Sequence, residues 1–203
     1  YDESDLRPID KWMLGSLHDA VETATQSLDE YEFPQAREAI HQTFYEVFCD
    51  NYLELVKHRV YADEPDENAV SVLKYALHVF TKLYAPIMPF VTEELYQHVF
   101  NDDDSSDSVH NTDWPATGET YDEVVSDGDK AIEVLGLIRK FKSEHEMSLK
   151  KELDEVMVEG PNVGEEIDGF EDDLKEAGCV ETLTVQDAEF FDVTVPGYEE
   201  DES

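Results

Sequence analysis

The stretch Phe48-Cys49-Asp50-Asn51-Tyr52-Leu53-Glu54-Leu55-Val56-Lys57-His58-Arg59-Val60-Tyr61 decides the reading of this chain. It mixes core residues with a polar edge that ends in Lys57, His58 and Arg59. Upstream, Ala36, Ile40, Phe44 and Val47 continue the apolar spacing back to Pro34, so one helix is expected from about Pro34 to Tyr61. Ile9, Met13, Leu17, Val21, Ala24 and Leu28 recur every three to four residues behind Pro8, which suits a first helical turn, and predict a helix over 8–30. Val70, Leu73, Leu77, Phe80 and Leu83 predict a third over 67–85, stopped before Pro86. A short fourth spans 91–100 with Leu95 and Val99 inward, and a fifth spans 121–145 with Val124, Ile132, Leu135, Ile138 and Phe141 on one side. Short links between long helices give an antiparallel bundle. Residues 101–118, with Asp102, Asp103, Asp104, Pro115 and Gly118, break the period and read as a long exposed loop.

After Lys151 the period changes. Leu153 to Glu159 alternates as a strand does, 165–177 reads as a helix closed by Gly178, and 180–185 and 190–195 read as two more strands. The expected fold class is mainly α: an antiparallel helical bundle over 1–150, a small acidic α/β appendage over 151–198, and a tail over 199–203.

Charge bounds the function. The 203 residues are 40% hydrophobic, enough for a sizeable core, and carry 14 basic against 51 acidic side chains, a net −37. Such a balance ordinarily argues against nucleic acid, whose footprint is a basic patch, and for an acidic helical interaction module or nucleic-acid mimic. Here, however, the acids ride on segments that keep core spacing, which a disordered solvating tail does not do. Halophilic adaptation accounts for both. In molar salt the screening length falls to roughly 3 Å, which removes most self-repulsion among surface carboxylates. The two cysteines, Cys49 and Cys179, lie far apart without a secretion signal or an apolar run of membrane-spanning length, so a cytoplasmic chain with reduced thiols is expected. Cys49, among Phe44, Val47, Phe48 and Tyr52, reads as a small buried hydrophobe.

The opening stretch, joined to Ala85-Pro86-Ile87-Met88-Pro89-Phe90-Val91-Thr92-Glu93-Glu94-Leu95, resembles the helical anticodon-binding domain of class I aminoacyl-tRNA synthetases. The likeness extends to 6–14, Tyr31-Glu32-Phe33, Ser108-Val109-His110, Trp114-Pro115 and 138–144, and so covers roughly 6–158. Isoleucyl and leucyl enzymes share the Pro-Phe-x-x-Glu-Glu pattern, whereas the Phe-Cys-Asp-x-Tyr-Leu-Glu-x-Val-Lys run tilts the resemblance to the valyl family, with the isoleucyl family as the nearest rival. The resemblance implies recognition of the anticodon arm of valine tRNA by a monomeric enzyme whose catalytic body uses ATP and Mg. That body is expected to lie outside this chain, which begins at Tyr1 and carries neither nucleotide-binding signature of the family. Met147-Ser148-Leu149-Lys150-Lys151 echoes one of them, but it follows the last long helix rather than a nucleotide-binding fold.

No metal site is expected here, because the seven histidines and two cysteines never fall in a ligand pattern, and no catalytic or cofactor site, because the sequence has no Gly-rich phosphate loop or Gly-x-Ser-x-Gly elbow. Arg139, Lys140 and Lys142, with Lys150 and Lys151, make the most basic window of an acidic protein, and Lys57 and Arg59 end the decisive helix. These cations are candidates to hold RNA phosphates, Arg59 also to fork to or stack on an unpaired base, and Tyr61 to stack. Cations at a helix end also simply complement its dipole. Trp12, Phe33, Phe44, Tyr52 and Phe90 read as core residues, and Trp114 as a pin for the acidic loop or a stacking ring.

Overall fold

The structure, a computed structural model, describes residues 3–101, 107–118 and 120–196. Asp102, Asp103, Asp104 and the tail 199–203 fall outside them. Six helices build the bundle: α1 (Pro8–Asp29), α2 (Phe33–Gln42), α3 (Leu53–Val60), α4 (Glu67–Tyr84), α5 (Pro89–Val99) and α6 (Asp122–Glu144). Pro8, Pro34 and Pro89 open α1, α2 and α5, where a missing N–H is tolerated. Asp66 caps α4 by accepting from the N–H groups of Asn68 and Ala69.

Arg59, near the end of α3, meets Asp10 in the first turn of α1, and Gly128 of α6 lies against Trp12 while Gly15 lies against Val125. α6 therefore runs antiparallel to α1, and the end of α3 lies beside the start of α1. The start of α1, the end of α3 and the end of α6 share one end of the bundle. The α1–α2 turn and the α4–α5 connection share the other.

The expected helix over 34–61 exists but is not uniform: Thr43–Tyr52 is wound as a π-helix between α2 and α3. Ile40, Phe44, Phe48 and Tyr52 recur every four residues, and on an α-helix that spacing drifts about 40° per step. The i→i+5 winding covers Phe44, Phe48 and Tyr52, whose rings stack in succession with centroids 6.0 and 6.5 Å apart. Phe44, Phe48 and Phe80 form a mutual cluster with ring centroids 5.1 to 6.0 Å apart.

Two inward faces differ from expectation. In α4 the buried residues are Ala69, Val72, Ala76 and Val79 with Phe80, Thr81, Leu83 and Tyr84, whereas Val70, Leu73 and Leu77 flank them. In α6, Gly128, Ala131, Val134, Leu135 and Ile138 are buried, and Val124, Ile132 and Phe141 are partly exposed. In both, small side chains let the neighbouring helix approach and larger ones close the edges. α5 lies shallow, with Thr92 its only buried residue and Val99 exposed rather than inward.

The 107–118 half of the expected exposed loop is anchored at three points, while Asp107, His110, Asn111, Asp113 and 116–118 are exposed. Val109 is buried in a 3-10 turn, Ser108 donates to Glu93 at 2.8 Å, and Trp114 donates from Nε1 to Thr25 at 2.8 Å. Trp114 thus pins the loop to α1.

The appendage contains β1 (Leu153–Gly160), α7 (Val163–Glu166), α8 (Glu171–Gly178), β2 (Val180–Asp187) and β3 (Asp192–Thr194). The sheet order is β2-β1-β3, with β1 parallel to β2 and antiparallel to β3. The single helix expected over 165–177 is two, interrupted at Gly169, whose φ of +82° no ordinary side chain adopts readily. Gly178 is the last helical residue and Cys179, at φ +49°, is the left-handed cap. Val156, Val158, Ile167, Phe170 and Leu174 join the same hydrophobic cluster as Ile9, Met13, Leu55 and Ile138, so one core runs through bundle and appendage.

A Cβ on Gly128 would overlap the Trp12 ring, which is itself fixed by a 2.9 Å hydrogen bond from its Nε1 to Asp129. Gly128→Ala is therefore expected to lower stability by about 1–3 kcal/mol, read as a lower urea midpoint in molar KCl. An unchanged midpoint would rule out this close α1–α6 contact.

Candidate nucleic-acid interface

Tyr52, Leu55, Val56 and Arg59 recur on one side of α3, so Arg59 faces the core by its position in the sequence pattern. Asp10, between Ile9 and Met13, is buried on α1 in the same way. The two meet. Arg59 donates from Nη1 and Nη2 to the two Asp10 oxygens at 3.0 and 2.8 Å, and from Nε and Nη2 to Asp66 at 3.0 and 2.8 Å. Asp10 also accepts from the Tyr52 hydroxyl at 2.8 Å. Burial pulls the Arg59 pKa down, and its bonds to Asp10 and Asp66 more than reverse that, leaving the guanidinium firmly charged. The expectation that Arg59 grips RNA is thereby corrected: its donors are consumed inside the fold.

Asp173 of α8 lies buried beside this network, with His58 Nε2 at 3.4 Å and Arg7 Nη1 at 3.9 Å. Neither of its oxygens accepts a hydrogen bond. Burial pushes its pKa up to about 6, against the opposing pull of Arg59 and Arg7. The contact joins the bundle to the appendage.

Lys142 is the second correction. It shares the inward face of Leu135 and Ile138, is buried, and donates to the carbonyls of Leu149, Lys151 and Gly178. Arg139 is half-buried and donates to the Asn51 side chain at 3.0 Å and the Asp50 carbonyl at 3.3 Å; burial lowers its pKa while Glu54 and Asp50 oppose. Lys57 and Lys140 remain outward, each loosely paired along its own helix, with Glu54 at 3.1 Å and Glu144 at 3.8 Å. Tyr61, just past α3, is 82% exposed. The structure thus keeps Lys57, Tyr61, Arg139 and Lys140 at one end of the bundle with surface to offer.

The other end holds what the sequence pattern missed. Tyr31 is 79% exposed, Phe33 59% and Phe90 89%, so Phe33 and Phe90 are not core residues, whereas Trp12 and Tyr52 are. Tyr31 and Phe33 meet edge to face at 6.4 Å across the α1–α2 turn. Their place at a turn, next to the period break at Glu32–Pro34, was the available signal. Nearby, Phe44, Tyr45, Leu77, Tyr84, Met88 and Val91 help line an apolar groove of about 400 Å³ rimmed by Arg37 and His41. The 22 residues of α1 separate the two ends by roughly 33 Å at about 1.5 Å per residue. Among the described residues, no cluster of three or more His, Cys, Asp or Glu is placed to hold a metal, and no helix is long and apolar enough to cross a membrane.

Residues 10–158 match the family described as the anticodon-binding domain of tRNA ligase. The chain belongs to this family. Its relatives include the valine–tRNA ligase of Haloarcula marismortui, 37% identical over 183 residues that cover 90% of this chain and 19% of that protein. The valine–tRNA ligase of Wolbachia pipientis is 36% identical over 180 residues, 86% of this chain and 20% of that protein. That of Methanothermobacter thermautotrophicus is 37% identical over 178 residues, 85% and 20% respectively. The chain spans about a fifth of the length of these relatives. The anticodon-binding match runs from the first turn of α1 into β1.

Arg59→Met leaves Asp10 buried without its cation, and the expected loss is about 3–5 kcal/mol in urea unfolding; a loss under about 1 kcal/mol would mean that the network is not structural. Asp173 has a folded pKa, about 6, above its ordinary 3.8, so the folded state binds the extra proton between those values. Its stabilising contribution is present below pH 3.8 and is lost as pH rises through about 6. The difference in urea midpoint between the unaltered chain and Asp173→Asn is expected to move in the variant's favour from pH 4.5 to pH 7. A difference independent of pH would contradict the assignment.

Proposed function

We propose that this chain recognises the tRNA anticodon arm within a valine–tRNA ligase, the enzyme that uses ATP and Mg to activate valine and join it to the 3′ end of its tRNA. Membership in the anticodon-binding family carries this reading. The valine–tRNA ligase names of the relatives support the valyl assignment over the isoleucyl one.

The exposed rings of Tyr31, Phe33 and Phe90 suit unpaired loop bases, since every base offers a face to stack on. Lys57, Lys140 and Arg139, with Tyr61, suit the sugar-phosphate backbone of the stem at the opposite end. The arm then lies along the bundle. The chain contributes binding and positioning, and bond-making belongs to the rest of the enzyme. A monomer in the salt-rich cytoplasm of a halophile fits the net charge of −37 and the likeness to the Haloarcula protein. The acidic interaction module is the weaker reading, because it leaves the family match without a purpose.

In molar KCl, fluorescence anisotropy is expected to show tighter binding of valine tRNA than of the same tRNA with its anticodon replaced. Tyr31→Ala with Phe33→Ala is expected to weaken the cognate RNA roughly tenfold or more, from about 1–3 kcal/mol per stacked base. Equal affinity for both RNAs by a folded chain would contradict the proposal.

A further inference from the structure

Three of the chain's surface cations are neutralised along their own helices: Lys57 by Glu54, Lys130 by Glu133 and Lys140 by Glu144. Among the described residues, exposed Arg37, Lys74, Lys150 and Lys151 have no such ion pair, and of these only Lys150 and Lys151 are neighbours in the chain. These two sit in a turn built from beneath. Met147 donates its N–H back to the Lys142 carbonyl at 2.7 Å, Lys151 donates to the Ser148 carbonyl at 2.8 Å, and Lys150 donates to the Ser148 hydroxyl at 3.3 Å. Under the turn, the buried Lys142 ammonium spends its three protons on the carbonyls of Leu149 at 3.1 Å, of Lys151, and of Gly178 at 2.6 Å.

Two consequences follow for an anion. The Leu149 and Lys151 carbonyls, which would repel a phosphate, are drawn inward onto a cation, and that buried charge has no carboxylate bonded to it. The turn is also fixed before binding, so little conformational entropy remains to be lost. Lys150 and Lys151 stand on an exposed turn rather than around a cavity, which suits an extended polyanion whose successive phosphates meet successive point charges.

We propose that Ser148–Lys151 is a preformed clamp for the sugar-phosphate backbone of RNA, held in position by Lys142. The proposal rests on reading the chain as a tRNA-binding domain and adds the place where the backbone is gripped. Lys142 is a positioning residue, and Lys150 and Lys151 make the contact.

The test combines lysine acetylation footprinting of the chain, with and without valine tRNA, and the salt dependence of binding across a KCl series in which circular dichroism shows the chain folded. Lys150 and Lys151 are expected to be protected severalfold, while exposed Lys74 on α4 is not. Lys150→Gln with Lys151→Gln is expected to keep the urea midpoint and to shrink the slope of log K against log salt by about 1.8, at about 0.9 per duplex phosphate contact. Lys142→Met, where it folds, is expected to speed hydrogen exchange across 147–151. An unprotected Lys150 and Lys151, an unchanged slope, or equal protection by inorganic phosphate at the same phosphate concentration would overturn the clamp, even where anticodon preference persists. Loss of anticodon preference in the unaltered chain would count against the proposed function instead, with protection and slope still deciding the clamp.

Discussion

The ion pair between Arg59 and Asp10 ties the first turn of α1 to the last turn of α3, and Asp66 carries the same guanidinium's hold to the cap of α4. Two charges taken out of water are unfavourable unless geometry and hydrogen bonding compensate, and here four donor contacts and the Tyr52 hydroxyl do so. The arrangement also suits molar salt. Screening within a few ångströms weakens exposed pairs such as Lys57 with Glu54, whereas a pair sealed from solvent is screened far less. In a chain with 51 acidic and 14 basic residues, placing a scarce cation where salt cannot dilute it preserves the junction on which the order of α1, α3 and α4 depends. Lys142 does the same at the other seam, using carbonyls rather than carboxylates to join α6 to α8 and to the turn between them.

The helices were legible because their apolar residues recur at a period that only a helix turns to one side, and the prolines at 8, 34, 86 and 89 marked the breaks. The rotation of the α4 and α6 faces was not, because periodicity weighs Leu and Ile above the Ala and Gly that permit close approach. The π segment was hidden for a related reason: a run spaced by four is near enough to an α-helical pattern to pass as one. The two cations misread as RNA contacts were legible after all. Arg59 shares the apolar side of Tyr52, Leu55 and Val56, and Lys142 that of Leu135 and Ile138, so charge type was followed where position carried the information. Phe33 and Phe90 erred in the opposite direction, since hydrophobicity suggested core for rings that sit at turns and face water.

With these corrections the bundle has two unlike ends. Exposed rings gather at the α1–α2 turn and the α4–α5 connection, and exposed cations gather where α3 and α6 finish beside the appendage. An acidic surface between them is compatible with binding RNA, since general repulsion is screened in concentrated salt, which weakens the phosphate contacts of the cation end as well. Base stacking, which does not depend on charge, suits such conditions. The appendage shares the core of the bundle, and through Asp173, Gly178 and the Lys142 turn it holds the cation end in shape rather than adding a basic surface of its own.

The most direct test of this account is hydrogen exchange by mass spectrometry on the chain in molar KCl, with and without valine tRNA. Protection is expected at both ends, in peptides covering 29–34, 57–62 and 145–151, with the buried middle of α1 and the strands of the appendage unchanged. Protection confined to 153–196, or none at all under conditions where the RNA is bound, would contradict it.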